Sequence, residues 1–121
     1  MQIRDLYHGT SGDNILEIIR LGALKPNADG KLFFSEWRFD SVLMHGADMR
    51  RKAAFAIKLR VTIAPPAALQ QAPTAGVTDT LIVSTTMPLP VQVLELYVRE
   101  PRASSVKTIR GMVEIKKYLS A

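Results

Sequence analysis

At 121 residues the chain is the size of one domain, with room for one core and one active site and none for a separate regulatory module. It has no cysteine and two histidines, which excludes a disulfide framework, a zinc–thiolate site and a thiol nucleophile and leaves too few ligands for an ordinary metal centre. The formal net charge of +5 favours acidic partners such as nucleic acid, a dinucleotide or an acidic binding protein, and suits a merely solvated surface equally well.

In chain order, Leu6-Tyr7-His8-Gly9-Thr10 reads as a short strand ending in His-Gly-Thr. An imidazole at a strand end can hold a sugar hydroxyl, and the glycine after it lets a flat ligand lie against bare backbone. A half-buried histidine followed by a turn glycine would look the same. Ser11 caps a helix whose apolar residues Ile15, Ile18 and Ile19 recur on one face, and Gly22 supplies a left-handed stop. Lys25 to Gly30 is turn chemistry, and Lys31 to Ser35 is a short apolar strand. Asp40 caps a second predicted helix through Val42, Leu43 and Ala47 to about Arg51. From Ala53 to Ile63 strict alternation puts Phe55, Ile57, Leu59, Val61 and Ile63 on one face and Lys58, Arg60 and Thr62 on the other, a half-buried strand.

Pro65-Pro66 ends that strand, and the Ala/Gln/Pro-rich stretch through Gly76 is predicted as a surface loop with one helical turn. Thr80 to Ser84 and Val91 to Val98 are two further strands, with a bend at Pro88 and Pro90. In the tail, Val106, Ile109 and Val113 fit a helix that Gly111 interrupts, against an edge strand over Met112 to Leu119. The order is α+β in layout, without the regular alternation of a doubly wound sheet, and a single domain over 1–121 is predicted. No apolar run reaches the length of a membrane span and the N-terminus lacks a secretory segment, so a cytoplasmic protein without membrane contact is expected.

Leu6-Tyr7-His8-Gly9-Thr10, the helix ending at Gly22-Ala23-Leu24-Lys25-Pro26, and Gly30-Lys31-Leu32-Phe33-Phe34-Ser35 together resemble the first half of the ADP-ribosyltransferase superfamily. The branch they resemble is the one shared by diphtheria-type toxins and poly(ADP-ribose) polymerases, with RNA 2'-phosphotransferases as relatives. The similarity runs over about residues 5 to 60 and continues beyond only in the order of strands. It implies a small ADP-ribosyltransferase-like split β-sheet core with two to three helices, and NAD as co-substrate with no metal. By this resemblance His8 binds a hydroxyl of the nicotinamide ribose, the Gly9 backbone holds the carboxamide, and Thr10 touches the adenosine side. Phe33 stands where the family has a tyrosine that packs on the nicotinamide ring. Ser41 stands where a helix serine contacts the carboxamide, and His45, beside Met44, where a second stacking aromatic is found. The family's glutamate on a late strand, which steadies an oxocarbenium-like sugar, has no counterpart: Thr80 aligns there, with Asp79 beside it and Glu95 as the candidate in another register. His8, Asp79 and Glu95 are therefore the candidate catalytic residues.

Three functions fit these readings. One is an NAD-dependent ADP-ribosyltransferase, a toxin or effector acting on a protein or nucleic acid and answered by an acidic neutralising protein. Another is an RNA-directed enzyme, 2'-phosphotransferase-like or a metal-free ribonuclease, with His45 or Tyr97 as a second proton-transfer group near His8. The third is a catalytically degenerate binding module of the same fold.

Overall fold

The alternating segment Ala53–Ile63 forms the middle of the molecule, because its apolar row can be covered while its polar row stays wet. Phe55, Ile57, Leu59 and Val61 are almost completely buried, whereas Lys58 and Arg60 between them keep contact with solvent. The computed structural model describes residues 1–36, 39–43, 45–71 and 80–121. Its elements are β1 (Gln2–Gly9), α1 (Gly12–Leu21), β2 (Ala23–Leu24), β3 (Lys31–Ser35), α2 (Asp40–Leu43), β4 (Ala47–Asp48), β5 (Ala53–Ile63), β6 (Ala68–Gln71), β7 (Thr80–Ser84), β8 (Leu89–Arg99), β9 (Lys107–Arg110) and α3 (Met112–Ser120). The result is a mixed α+β fold around one sheet in the order β2-β8-β5-β1-β3-β7-β6, with β4 added to β5 and β9 to β8. The described strand pairings are antiparallel. No described helix is long and apolar enough to cross a membrane.

Helices α1 and α3 cover the face of the sheet that carries the apolar row of β5. Ile15 and Ile18 of α1 and Ile115 and Leu119 of α3 are buried against Leu6, Ile57, Leu59 and Leu96, each apolar side chain contributing roughly 2 kcal/mol of transfer free energy. Helix α1 forms as its sequence predicts: the Ser11 hydroxyl accepts from the Asn14 N–H, and Gly22 at φ 66° turns back to donate to the Ile18 carbonyl. The opposite face carries a smaller cluster, in which Val42 and Leu43 of α2 lie on Ala56 and Tyr97. Phe39 stacks on Tyr97 with ring centroids 4.2 Å apart.

Helix α2 is much shorter than its spacing predicts, a correction with a clear steric cause. It ends at Leu43, and the chain then drops onto β5, where Phe55 N–H donates to the Gly46 carbonyl at 2.9 Å. A Cβ on Gly46 would lie 1.7 Å from the Phe55 carbonyl oxygen, so only glycine permits the approach. Ala47 and Asp48 then pair with Ala54 and Ala53, and the turn between them closes with Lys52 at φ 55°. Backbone pairing with a central strand has overridden helical periodicity. Two other expectations fail in the same way. Residues 68–71 are a strand on β7 rather than a loop, since the open edge of β7 offers hydrogen bonds and Leu69 reaches the main core. In the tail, Val106 and Ile109 do not join a helix: Lys107–Arg110 pairs with β8, and Gly111 at φ 87° separates that strand from α3. The rest of the proline-rich stretch, 72–79, lies outside the described residues.

One buried charge joins three of these elements. Asp48 accepts from the Gly12 N–H at 2.8 Å, the Arg51 N–H at 3.0 Å and the Arg51 guanidinium at 3.1 Å. The same guanidinium donates to Asp13 and to the Leu119 carbonyl, each at 3.0 Å, so β4 is fastened to the start of α1 and the end of α3. Burial opposes the Asp48 charge, and the Arg51 and Gly12 N–H groups with the Arg51 guanidinium outweigh it, holding the carboxyl below the usual carboxylate range. Its stabilisation is therefore complete above the ordinary carboxylate pKa and is lost as pH falls through the lower folded value. Asp48→Ala is expected to destabilise the fold by about 3 kcal/mol, with Asp48→Asn losing less, as read from urea unfolding midpoints at neutral pH.

Candidate functional site

Strands β1 and β3 share a single register pair, Tyr7 opposite Ser35. Beyond it β1 keeps to β5 as far as Gly9 opposite Ala56, while β3 keeps to β7, from Ser35 opposite Thr80 back to Lys31 opposite Ser84. The two strands part, and a cavity of about 710 Å³ lies along the opening. His8 and Gly9 form one lip and β3 the other; Asn14, Lys25, Asn27, His45 and Thr80 complete the wall.

The imidazole of His8 spans the gap. Its Nδ1 lies 2.9 Å from the Phe33 carbonyl oxygen, and because a carbonyl only accepts, the proton is assigned to Nδ1, leaving Nε2 of the neutral ring as an acceptor. The Phe34 ring supports it at a centroid distance of 5.5 Å. Burial lowers the His8 pKa most; the Phe33 carbonyl works in the other direction, and the His45 charge lowers it further. The ring is thus held neutral near pH 7, in a fixed tautomer and orientation.

Strand alternation decides what β3 offers. Leu32 and Phe34 are buried, whereas Phe33, which shares the face of Ser35 and Tyr7 rather than that of His8, is 48% exposed, an aromatic side chain at the opening on which a planar group can stack. Lys31 lies on the same face as Phe33, about 7 Å along the strand. With Lys25 it lines the cavity. The loop between them is braced by Asn27, whose side-chain oxygen accepts from the Asp29 and Lys31 N–H groups at 3.0 Å each. No carboxylate is found among the described residues lining the cavity. The described residues also contain no cluster of three or more His, Cys, Asp or Glu fit to hold a metal.

The predicted site residues divide sharply. His8, Gly9, Phe33 and His45 come together on this cavity. Gly9 also has a packing role, since a Cβ there would lie 1.9 Å from the Val42 carbonyl oxygen; its bareness lets α2 cross β1. Thr10 is not among the lining residues, and its hydroxyl accepts from Asn14 Nδ2 at 2.7 Å. Ser41 belongs to α2, its side chain lying outside what is described, and Asp79 lies wholly outside the described residues. Glu95 stands on the other face of the sheet: it pairs with Lys58 and through it with Tyr7, one residue out of phase with the row of His8, Ile57 and Leu96. There it accepts from the Tyr97 hydroxyl at 2.7 Å. Burial and then Glu95 push the Tyr97 phenol far above its usual pKa, so it stays protonated in its own cluster. Asn14, Lys25, Asn27 and Lys31 are cavity residues without a sequence signal of function; the only hint is Lys31 two positions before Phe33.

No protein-family model, curated protein or solved structure matches the chain.

Because folding lowers the proton affinity of His8, the unfolded chain takes up its proton first as pH falls below 6.5. The neutral-imidazole contribution is full above that value and declines as pH falls toward the folded pKa. Urea midpoints at about pH 7.5 and about pH 5.5 are expected to drop more in the wild type than in His8→Gln, which keeps a donor for the Phe33 carbonyl but does not titrate.

Proposed function

We propose that this chain is an NAD-binding protein of the ADP-ribosyltransferase type, with the nicotinamide half of NAD in the opening between β1 and β3. The observation that carries the reading is the pairing, along one opening, of a fixed, neutral His8 with the half-exposed Phe33 of the facing strand, both of which line the cavity. That pairing suits a ribose hydroxyl beside a flat heterocycle. His8 Nε2 accepts from the ribose, Phe33 stacks on the ring, and Lys25 and Lys31 face the pyrophosphate, where ammonium groups are worth most in a partly enclosed site. The split sheet and the His-Gly-Thr strand support the ADP-ribosyltransferase-like core that the sequence resembles.

NAD, when bound, supplies a C1'–N bond whose electron pair can leave with nicotinamide, making ADP-ribose available to a nucleophile. What this chain's own residues do is orient that bond, by holding the sugar and the ring on two rigid strands. The acid is the open element. Thr80 lines the cavity where the family has its glutamate, Glu95 faces away, and Asp79, its chain neighbour, is the carboxylate left for the role.

NAD at about ten times its Kd is expected to raise stability by about 1.4 kcal/mol, about 5 °C in Tm for a chain of this size. Phe33→Ala should abolish the shift while changing the ligand-free Tm little, because the ring is half exposed. Nicotinamide release from NAD should fall about 100-fold in His8→Ala, which loses the positioning group, and should also fall in Asp79→Asn. Binding without release would make the chain an NAD-binding module, and no Tm shift at saturating NAD would remove the reading altogether.

A further inference from the structure

Both histidines of the chain line the same cavity, although they are far apart in sequence and sit on different elements. They also differ in setting. His8 is anchored through Nδ1 and presents Nε2 as an acceptor; His45 follows α2 and is exposed. Lys25 and Lys31 share the wall with them, and no described lining residue is a carboxylate or an arginine. An aromatic residue, two imidazoles and two lysines make a good phosphodiester site, because a pentacoordinate phosphorus carries extra negative charge and its formation needs one proton removed and one supplied.

The geometry points to a second activity: metal-free cleavage of single-stranded RNA, with His8 as general base and His45 as general acid. An unpaired base stacks on Phe33, which brings its ribose to His8. His8 Nε2 takes the proton of the 2'-hydroxyl; O2' forms a bond to the adjacent phosphorus; the P–O5' bond breaks; and the departing O5' receives a proton from the His45 imidazolium. Lys25 and Lys31 balance the charge on the non-bridging oxygens. The products are a 2',3'-cyclic phosphate and a 5'-hydroxyl, and the two imidazoles return to their starting states by exchange with water, so no co-reactant is consumed. Burial together with the nearby His45 charge keeps His8 unprotonated, the state a base requires. This activity does not rest on NAD binding, since it breaks a different bond and needs no dinucleotide.

The test uses the whole protein with a short 5'-labelled single-stranded RNA, in EDTA and without NAD. Fragments ending in 2',3'-cyclic phosphate are expected, and the same strand carrying 2'-O-methyl groups should remain intact. His45→Ala should slow cleavage at least about 100-fold with an unchanged Tm, because the side chain is exposed; His8→Gln should slow it comparably, with Tm at neutral pH reporting its folding. Failure of the wild type to cut RNA overturns the proposal. So does cleavage that persists at the wild-type rate in His45→Ala, or that produces 3'-hydroxyl ends.

Discussion

The site depends on one hydrogen bond, from His8 Nδ1 to the Phe33 carbonyl, made across the place where two strands stop pairing. After Tyr7 and Ser35 the ladder between β1 and β3 offers nothing more, and each strand's next partner lies on its other side. A side chain takes over as the tie. It leaves the backbone of the two lips apart while fixing their separation and the tautomer of the ring that spans them. A fully paired β1 and β3 would be a better sheet and would have no cavity.

Around that tie the molecule sorts its charges by cost. The buried Asp48 and the part-buried Arg51 satisfy each other and backbone groups of α1, of α3 and of Arg51 itself, so Arg51 is a structural fastener even though the sequence sets it in a basic run. Its neighbour Arg50 remains largely exposed. Glu95 and Tyr97 form a separate closed pair on the far face, beside the stack of Phe39 on Tyr97. The carboxylates that serve structure are thereby kept from the described wall of the cavity, which is left with imidazoles, ammonium groups, amides and an aromatic ring. Such a wall suits the proposed proton transfer and phosphate or pyrophosphate recognition.

Glycine plays its part on the second face. Gly9 and Gly46 let the chain around α2 press directly on the backbones of β1 and β5, and this contact is what sets His45 on the rim. The His-Gly pair therefore has two reasons to exist: the histidine acts on the cavity side, and the glycine admits the layer behind it. Reading the glycine only as a ligand contact would miss half of that.

Where a signal is local, the sequence determined the outcome. Strict alternation set β5, the Ser11 cap and Gly22 stop set α1, and the turn residues before Lys31 set the start of β3, because each depends on residues a few positions apart. The His-Gly pair likewise set the end of β1 at Gly9. Tertiary structure alone decided what depends on partners distant in the chain. It ended α2 at Leu43 because β5 needed the backbone that followed, and it made strands of 68–71 and 107–110 because open sheet edges were available. It sent Glu95 to the wrong face by a single step of alternation, and it gathered Lys25, Lys31 and His45 around His8. A period of two tells which residues share a face, but which face becomes a cavity wall is fixed only when strands pair and part.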